Sequence, residues 1–531
     1  MPAVKARRLD GALAGVAAVV LGAGVGELSA AMLSPGASPF AAIGSALIDL
    51  APAWAKESAI ALFGTADKIA LLTGMGIVLL LAAAVAGMLE QRFPPWGITL
   101  VVVVAAGGGV AAMTRADAGL LSWIPSALAG ITAALTLSFL LRRSRDRARA
   151  SRDAANATKT DPGTTVGHVS GEGAGVDRRK FLLWSGGAIA VGVLATIGGA
   201  ALRAGARSVE AVRTAIRLPS PATTAPAIPA GAELSIPGLA RVITPNGSFY
   251  RIDTALLVPQ VDPADWSLRI HGLVEEEVTL TWAELLALPL EESVTTLTCV
   301  SNEVGGELIG NALWLGYPIR ELLARARPTA SADMVLSRSV DGFTASTPLE
   351  VLTDGRAAIL AVGMNGVPLP PEHGFPVRMV VPGLYGYVSA TKWVTELEVT
   401  RFADATAYWT DRGWSERGPI KLESRIDVPR KAQGLKAGDT VIAGVAWQQG
   451  VGIAGVEVQI DDGPWKGATL ATAISNDTWV QWMLPWTATV GDHLLRCRAT
   501  SKAGELQTEA HADVVPDGAT GWHERFITVF E

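Results

Sequence analysis

Residues Thr295-Thr296-Leu297-Thr298-Cys299-Val300-Ser301-Asn302 are a β-branched run that ends in a thiol. The threonines favour a strand. The polar residues that follow, with Gly305 and Gly306, predict that this strand stops just past Cys299. A thiol carried to a strand end has three readings. It is a small buried hydrophobe, a nucleophile that needs a histidine base, or a soft ligand for a transition metal.

Outward from Cys299, residues 240–415 mix strands with helices. VTTLTCV reads as a strand, YPIRELLARA as an amphipathic helix and FPVRMVV as another strand. Residues 420–531 read differently. TVIAGVAW, GVEVQI, WVQWML and HLLRCRAT are short strands between Gly/Asp turns, and DDGPW is a hairpin turn. That spacing predicts an all-β immunoglobulin-like sandwich. Cys497, in the alternating strand LLRCRAT, is expected in its core.

Upstream the chain is greasy. Apolar residues make up 49% of its 531 residues and charged residues 18%, which points to a membrane portion. Stretches near 11–33, 69–89, 96–113, 120–141 and 181–202 approach bilayer length. The third is the weakest, with three consecutive glycines from Gly107. The apolar segment around 40–63 is interrupted by Asp49, Pro52, Lys56 and Glu57 and reads as an outer loop or interfacial helix. Residues 1–141 are thus a four-helix transmembrane region and 181–202 a fifth transmembrane helix. Between them, polar 142–180 reads as a flexible cytoplasmic linker. Residues 203–239, with the Pro/Ala/Thr-rich LPSPATTAPAIPA, read as a stiff tether.

Charge orients the chain. Residues 1–218 carry 21 Lys+Arg against 13 Asp+Glu, and residues 219–531 carry 23 against 37. This split does not fit a nucleic-acid binder. Basic clusters before the first span, after the fourth and before the fifth fall on one side if the N-terminus is cytoplasmic. An odd number of spans then puts the acidic portion outside the cytoplasm. Asp177-Arg178-Arg179-Lys180-Phe181-Leu182-Leu183 is similar to a twin-arginine export signal, or is stop-transfer charge alone.

Two cysteines exclude a disulfide framework, a four-cysteine zinc site and a cluster held only by cysteines. The six histidines are His168, His271, His373, His493, His511 and His523, none of them in a span, so a transmembrane bis-His haem is not expected in this chain. Glu27, alone in the first span, is assigned no role.

In order along 240–531, TTLTCVSN, GNALWLGYPIRELLARA, LPPEHGFPVRMVVPGLYGYVSATKW and AGVAWQQGVGIAGVEVQIDDGPW with the downstream WVQW and GATGWH resemble the molybdopterin-dependent oxidoreductases of the sulfite oxidase superfamily, in a membrane-anchored bacterial, actinobacterial-like branch. The resemblance implies an α+β molybdopterin-binding domain over 240–415 and a dimerisation-type domain over 420–531. It implies a Mo-molybdopterin cofactor with Cys299 as the molybdenum ligand. His373 and Arg378, five apart in HGFPVR, match the pair that contacts the pterin and its phosphate. Ser389, Thr391 and Lys392 match the stretch that closes over the cofactor, with a spacing one residue longer than in some relatives. Asp341, in SVDGFTASTP, matches a polar cofactor contact, although Asp-Gly is equally a plain turn. Arg251, in GSFYRID, falls where the family often places an arginine close to the metal, with Asn246 and Tyr250 as candidates nearby.

The residue types suit such a group. Arg gives a forked charge-assisted donor, Lys a point charge, and Ser/Thr complete a cradle for a polyanion. Taken alone, His373 is an ordinary loop residue, Arg378 a solvated strand residue and Lys392 a surface charge. A Cys299–Cys497 disulfide would remove the metal ligand. Trp409, Trp414, Arg412 and Arg417 lie where the family shapes its substrate entrance, or are core indoles and rim charges. No cytochrome b5 segment is recognisable, and Asp253 stands where sulfite oxidases tend to have a cofactor-contacting histidine.

The implied activity is two-electron oxygen-atom transfer, of the sulfite-oxidation or S-/N-oxide-reduction type, on a small oxo donor or acceptor. Electrons would pass to or from an external cytochrome or membrane redox protein, and the C-terminal domain implies a homodimer. The rival reading is an inactive membrane-anchored interaction module that keeps the fold without cofactor. A transporter is the third reading, against which stands the lack of paired charges in the spans.

Overall fold

A computed structural model gives the fold. It describes every residue except 1, 34–36, 53–54, 56–57, 59–61, 63–66, 116–117, 158–171, 207–208 and 431–433. The chain divides into two compact units, residues 1–208 with Ala255–Leu257, and Val209–Thr254 with Val258–Glu531.

The first unit is helical: α1 (Pro2–Leu33), α2 (Pro39–Leu50), α3 (Asp67–Arg92), α4 (Trp96–Met113), α5 (Ile124–Ala157) and α6 (Glu172–Ala206). Among the described residues, five stretches are long and apolar enough to cross a membrane: Arg8–Leu33, Lys68–Arg92, Trp96–Met113, Ile124–Arg145 and Arg179–Leu202. The triple glycine does not break α4. Small residues let α1 touch its neighbours backbone to backbone. A Cβ at Gly15 would overlap the Ala83 carbonyl, one at Gly87 the Gly11 carbonyl, and one at Gly24 the Gly192 carbonyl. Such seams suit helices packed in lipid, where close van der Waals contact replaces hydrophobic exclusion.

Glu27 has a structural partner. Its carboxylate accepts from Ser38 Oγ at 2.8 and 2.9 Å and from Phe40 N–H at 3.2 Å, at the N-terminus of α2. Glu90 does the same for α4 through Ile98 N–H at 3.1 Å. A carboxylate there meets unpaired N–H groups and the positive end of the helix dipole.

The expected linker differs. Helix α5 runs on to Ala157 and α6 begins at Glu172. Alternating Arg, Ala and Asp over 142–157 are adequate helix formers, so the fourth span continues into its arginine run. The middle of the linker, His168 included, lies outside the described residues.

In the second unit, α7 (Val209–Ala215) opens the chain. The expected tether is laid on the globule rather than held free. Ala222 N–H donates to Leu290 O at 2.7 Å, Thr223 bridges Glu291 in parallel, and Leu218 packs on the main core. Its prolines keep it extended, and an extended segment pairs with an open strand edge.

Ten strands and three short helices follow: β1 (Ser267–Gly272), β2 (Val278–Thr281), α8 (Trp282–Leu286), β3 (Glu291–Thr298), β4 (Ile309–Pro318), α9 (Ile319–Ala326), β5 (Met334–Ser339), β6 (Thr344–Pro348), α10 (Leu349–Thr353), β7 (Ile359–Met364), β8 (Val367–Pro368), β9 (Arg378–Val380) and β10 (Val394–Thr400). One sheet has the order β2-β1-β10-β5-β6, with β1 and β10 parallel. The other runs β3-β4-β7-β8, with β9 on β7. Helix α9 buries Ile319, Leu322, Leu323 and Ala326, an i, i+3, i+4, i+7 stripe.

The last part is β11 (Glu423–Val428), β12 (Leu435–Lys436), β13 (Gly438–Trp447), β14 (Ile453–Ile460), β15 (Lys466–Gly467), β16 (Thr469–Leu470), β17 (Val480–Ala488), β18 (Gly491–Ser501) and β19 (His523–Phe530). They form sheets of order β11-β13-β17-β16 and β12-β19-β18-β14-β15. Ile426, Ile442 and Trp482 from the first sheet, with Val458, Leu495 and Cys497 from the second, share one core. Both cysteines are free thiols and both are buried.

Candidate functional site

Strand β3 delivers Cys299 as expected. Its threonines are buried and each is bonded. Thr296 Oγ1 donates to Asn311 Oδ1 at 3.0 Å and accepts Trp479 N–H at 2.9 Å, and Thr298 Oγ1 accepts Gln449 Nε2 at 3.2 Å. A buried hydroxyl without such a partner would cost about 1–3 kcal/mol. The strand is therefore pinned to its residues' polar groups as well as to its ladder. Past its end the chain turns back, Cys299 N–H donating to Leu308 O at 2.9 Å. Burial raises the Cys299 pKa, while the Ser301 N–H and hydroxyl and the nearby Lys392 charge oppose the shift.

The turn Pro371–His373 and strand β9 bring His373 and Arg378 together. Arg378 is 5% exposed, and its guanidinium lies 5.1 Å from the Trp314 ring centre. Its donors reach only carbonyls: Met379 O at 3.3 Å, His373 O at 3.2 Å and Ala390 O at 3.4 Å. Among the described residues no carboxylate pairs with it. Burial pushes its pKa down to about 10. Gly374, at φ +109°, lets the Arg378 and Lys392 chains approach.

His373 Nε2 lies 3.0 Å from Asn246 O. A carbonyl only accepts, so Nε2 carries the proton in the neutral ring and Nδ1 keeps its lone pair. Burial, with Arg378, Lys392 and Arg251 close by, outweighs that bond and lowers its pKa to about 4, so the ring is neutral at physiological pH. Phe249 meets His373 edge-on at 5.5 Å and stacks on Tyr250 at 5.3 Å. Tyr250 is half-buried, and desolvation of its phenol, with the nearby Cys299 and against the pull of Arg378, holds it protonated. Asn246 is bonded within the protein, its Nδ2 donating to Met364 O at 3.3 Å and its Oδ1 accepting from Asn365 Nδ2 at 2.7 Å.

Lys392 Nζ donates to Asp253 Oδ2 at 2.6 Å and to Glu372 O at 3.0 Å. Burial lowers its pKa to about 8 against the pull of Asp253. Arg251 Nε donates to the same Oδ2 at 2.9 Å. Asp253 thus holds both cations, and only the Arg-x-Asp spacing in YRID hinted at it. Ser389 and Thr391 are buried beside them, but their hydroxyls serve the protein: Ser389 Oγ donates to Tyr385 O at 2.9 Å, and Thr391 Oγ1 shares a 2.7 Å bond with Ser337 Oγ. Asp341 accepts Phe343 N–H at 3.2 Å, closing its own Asp-Gly turn. Among the described residues, no hydrogen bond or ion pair joins it to the cluster.

Comparison with known proteins follows this geometry. A family model for the oxidoreductase molybdopterin binding domain matches residues 255–409. The uncharacterized oxidoreductase YuiH of Bacillus subtilis (strain 168) is 32% identical over 157 residues, which cover 30% of this chain and 76% of that protein. The chain belongs to the molybdopterin-binding oxidoreductases of the sulfite oxidase superfamily. Human mitochondrial sulfite oxidase is 28% identical over 321 residues, covering 51% of this chain and 58% of that one. The rat enzyme is 30% identical over 271 residues, covering 43% and 49%. The chain therefore spans about half the length of these sulfite oxidases. Among solved structures, the sulfane dehydrogenase SoxCD from Paracoccus pantotrophus matches 56% of this chain and 85% of that one, at 23% identity and a TM-score of 0.49.

The donor set fits the cofactor of this superfamily. A buried guanidinium without a carboxylate is costly unless an anion meets it. Arg378 supplies that fork, Lys392 a second charge, His373 a lone pair and Cys299 a soft sulfur.

Proposed function

We propose that this chain is a membrane-anchored molybdenum-cofactor oxidoreductase. The reaction is a two-electron oxygen-atom transfer on a small substrate, by sulfite oxidation or S-/N-oxide reduction. The observation that carries the reading is Arg378, a buried cation whose donors reach only carbonyls, set beside His373, with Lys392 near enough to both His373 and Cys299 for its charge to act on each.

When bound, the molybdenum cofactor supplies the redox chemistry. The protein's residues hold it. Arg378 and Lys392 would hold its phosphate, neutral His373 would offer it a hydrogen-bond acceptor, and Cys299 would be the metal's protein ligand. Phe249, Tyr250 and Trp314 wall off water. Ser389 and Thr391 fix the backbone of the covering segment through their hydroxyl bonds. Arg251, a third exposed and steadied by Asp253, orients an anionic substrate.

The five apolar stretches anchor the protein as a multi-pass chain in a bacterial cell membrane, and the positive-inside rule places the 240–531 portion outside the cytoplasm. Residues 420–531 form an immunoglobulin-like, dimerisation-type domain, a reading supported by two sheets that share one core. Electrons leave or arrive through an external cytochrome or membrane redox protein.

Full-length Cys299→Ser, expressed with cofactor supply, tests the reading. The parent should carry about one molybdenum per chain and turn over in a panel of S- and N-oxides and sulfite with artificial electron carriers. The variant should lose both turnover and tight metal. Full activity in the variant would end the reading of Cys299 as the metal ligand, and a metal-free parent would support the inactive interaction module.

A further inference from the structure

The loop from Cys299 to Leu308 is closed at its base by two bonds, Cys299 N–H to Leu308 O at 2.9 Å and Leu308 N–H to Asn302 Oδ1 at 2.8 Å. Its outer side is met by strands of the last two sheets. Gly305 has φ +77°, and a side chain there would overlap the imidazole of His523, the first residue of β19. That ring is fixed in turn, its Nδ1 accepting Ile426 N–H at 2.9 Å. From β11, Arg425 Nη1 donates to Gly306 O at 2.7 Å and its Nε to Asp427 at 2.7 Å. Glu423 on the same strand is buried and faces Asn302, and among the described residues neither Glu423 Oε1 nor Asn302 Nδ2 has a hydrogen-bond partner. Positions 305 and 306 are thus held by side chains more than a hundred residues away in sequence.

We propose that β11 and β19 form a clamp that sets the conformation of the Cys299 loop, with Arg425 and His523 as positioning residues. The clamp gives the C-terminal sheets a part in presenting the thiol, and that part rests on Cys299 being the metal ligand. The chemistry is ordinary. A buried charge-assisted bond to a carbonyl fixes a loop more firmly than a neutral one. A glycine that admits a ring where a side chain would stand fixes the loop's approach.

The test measures alkylation of each cysteine by iodoacetamide, read by peptide mass, on the full-length chain with and without cofactor. In the cofactor-free chain, Arg425→Met should raise the Cys299 rate about tenfold through loss of the charge-assisted bond. Cys497, sealed in the sandwich core, should not change. Gly305→Ala should raise the Cys299 rate as well. Adding His523→Ala to Gly305→Ala relieves the overlap and should return the rate toward the parent value, a rescue that general loosening does not produce. An unchanged Cys299 rate in Arg425→Met overturns the clamp. So does an equal rise at Cys497, or a double variant more reactive than Gly305→Ala. The ligand reading fails separately: if loading with cofactor leaves Cys299 as reactive as before, Cys299 does not hold the metal, whatever the cofactor-free rates show.

Discussion

Lys392 Nζ and Asp253 Oδ2 lie 2.6 Å apart, a buried ion pair closed over 139 residues of sequence. Arg251 joins it at 2.9 Å, so one carboxylate serves two cations. The cluster keeps a net positive charge after this pairing, with Arg378 beside it still lacking an anion.

Breaking the pair from one side should be worse than removing it. Asp253→Asn leaves Lys392 buried without its counter-charge, a change that typically costs about 3–5 kcal/mol. The double variant Asp253→Asn/Lys392→Met should recover part of that loss. Thermal unfolding of the full chain in detergent, run as a double-mutant cycle, measures the coupling. Strict additivity would count against the pair.

Arg378→Met should act in opposite directions on the two forms of the protein. Without cofactor it removes a buried, unpaired cation and should raise the unfolding temperature. With cofactor it removes the proposed phosphate partner and should weaken retention by roughly 10- to 100-fold, the span of a charge-assisted bond worth about 1.5–3 kcal/mol. Unfolding scans and pterin content after gel filtration read the two effects.

Glu423 makes stability depend on pH. Its burial, only partly offset by Lys421, Arg425 and Asn302, pushes the pKa from 4.5 to about 8. Folded, the carboxyl stays protonated to about pH 8, whereas unfolded it ionises near 4.5. Its contribution is complete below pH 4.5 and is lost as pH rises through 8. Glu423→Gln should therefore match the parent near pH 4.5 and exceed it near pH 8.5, by on the order of a few kcal/mol. Denaturation midpoints at several pH values decide this.

In the helical unit, Gly15→Leu should prevent α1 from seating, since overpacking costs about 1–3 kcal/mol or more where backbone cannot yield. Gly74→Leu, at a position where a Cβ meets nothing within 4 Å, should be silent. Size-exclusion profiles in mild detergent distinguish the two.

Much of this was legible in the sequence. Composition and run length give the long apolar helices, each near the length a bilayer would require. The run before Cys299 gives its strand, because β-branched side chains suit a pleated surface. His373 and Arg378 meet because five residues of one turn separate them. Other features depend on partners far along the chain. Nothing local in DGF says that Asp341 spends its carboxylate on its own turn. The hydroxyls of Ser389 and Thr391 look ready for a ligand until Tyr385 O and Ser337 Oγ are placed beside them. Polarity alone does not reveal the helical reach of α5 to Ala157, because arginine and alanine carry a helix into water without difficulty. His523 and Arg425 gave no signal at all, since their significance lies in the backbone of Gly305 and Gly306.

The glycine seam of α1 carries a consequence for assembly. At Gly15, Gly24 and Gly87 main chain rests on main chain, with no side chain between to flex or swap rotamers. Sliding α1 by one residue, or turning it a quarter revolution, would drive alanine or valine methyls into neighbouring carbonyls. The helices therefore have a single register available to them. The bundle's alignment is decided by its own backbone, and a slipped intermediate has nowhere to rest.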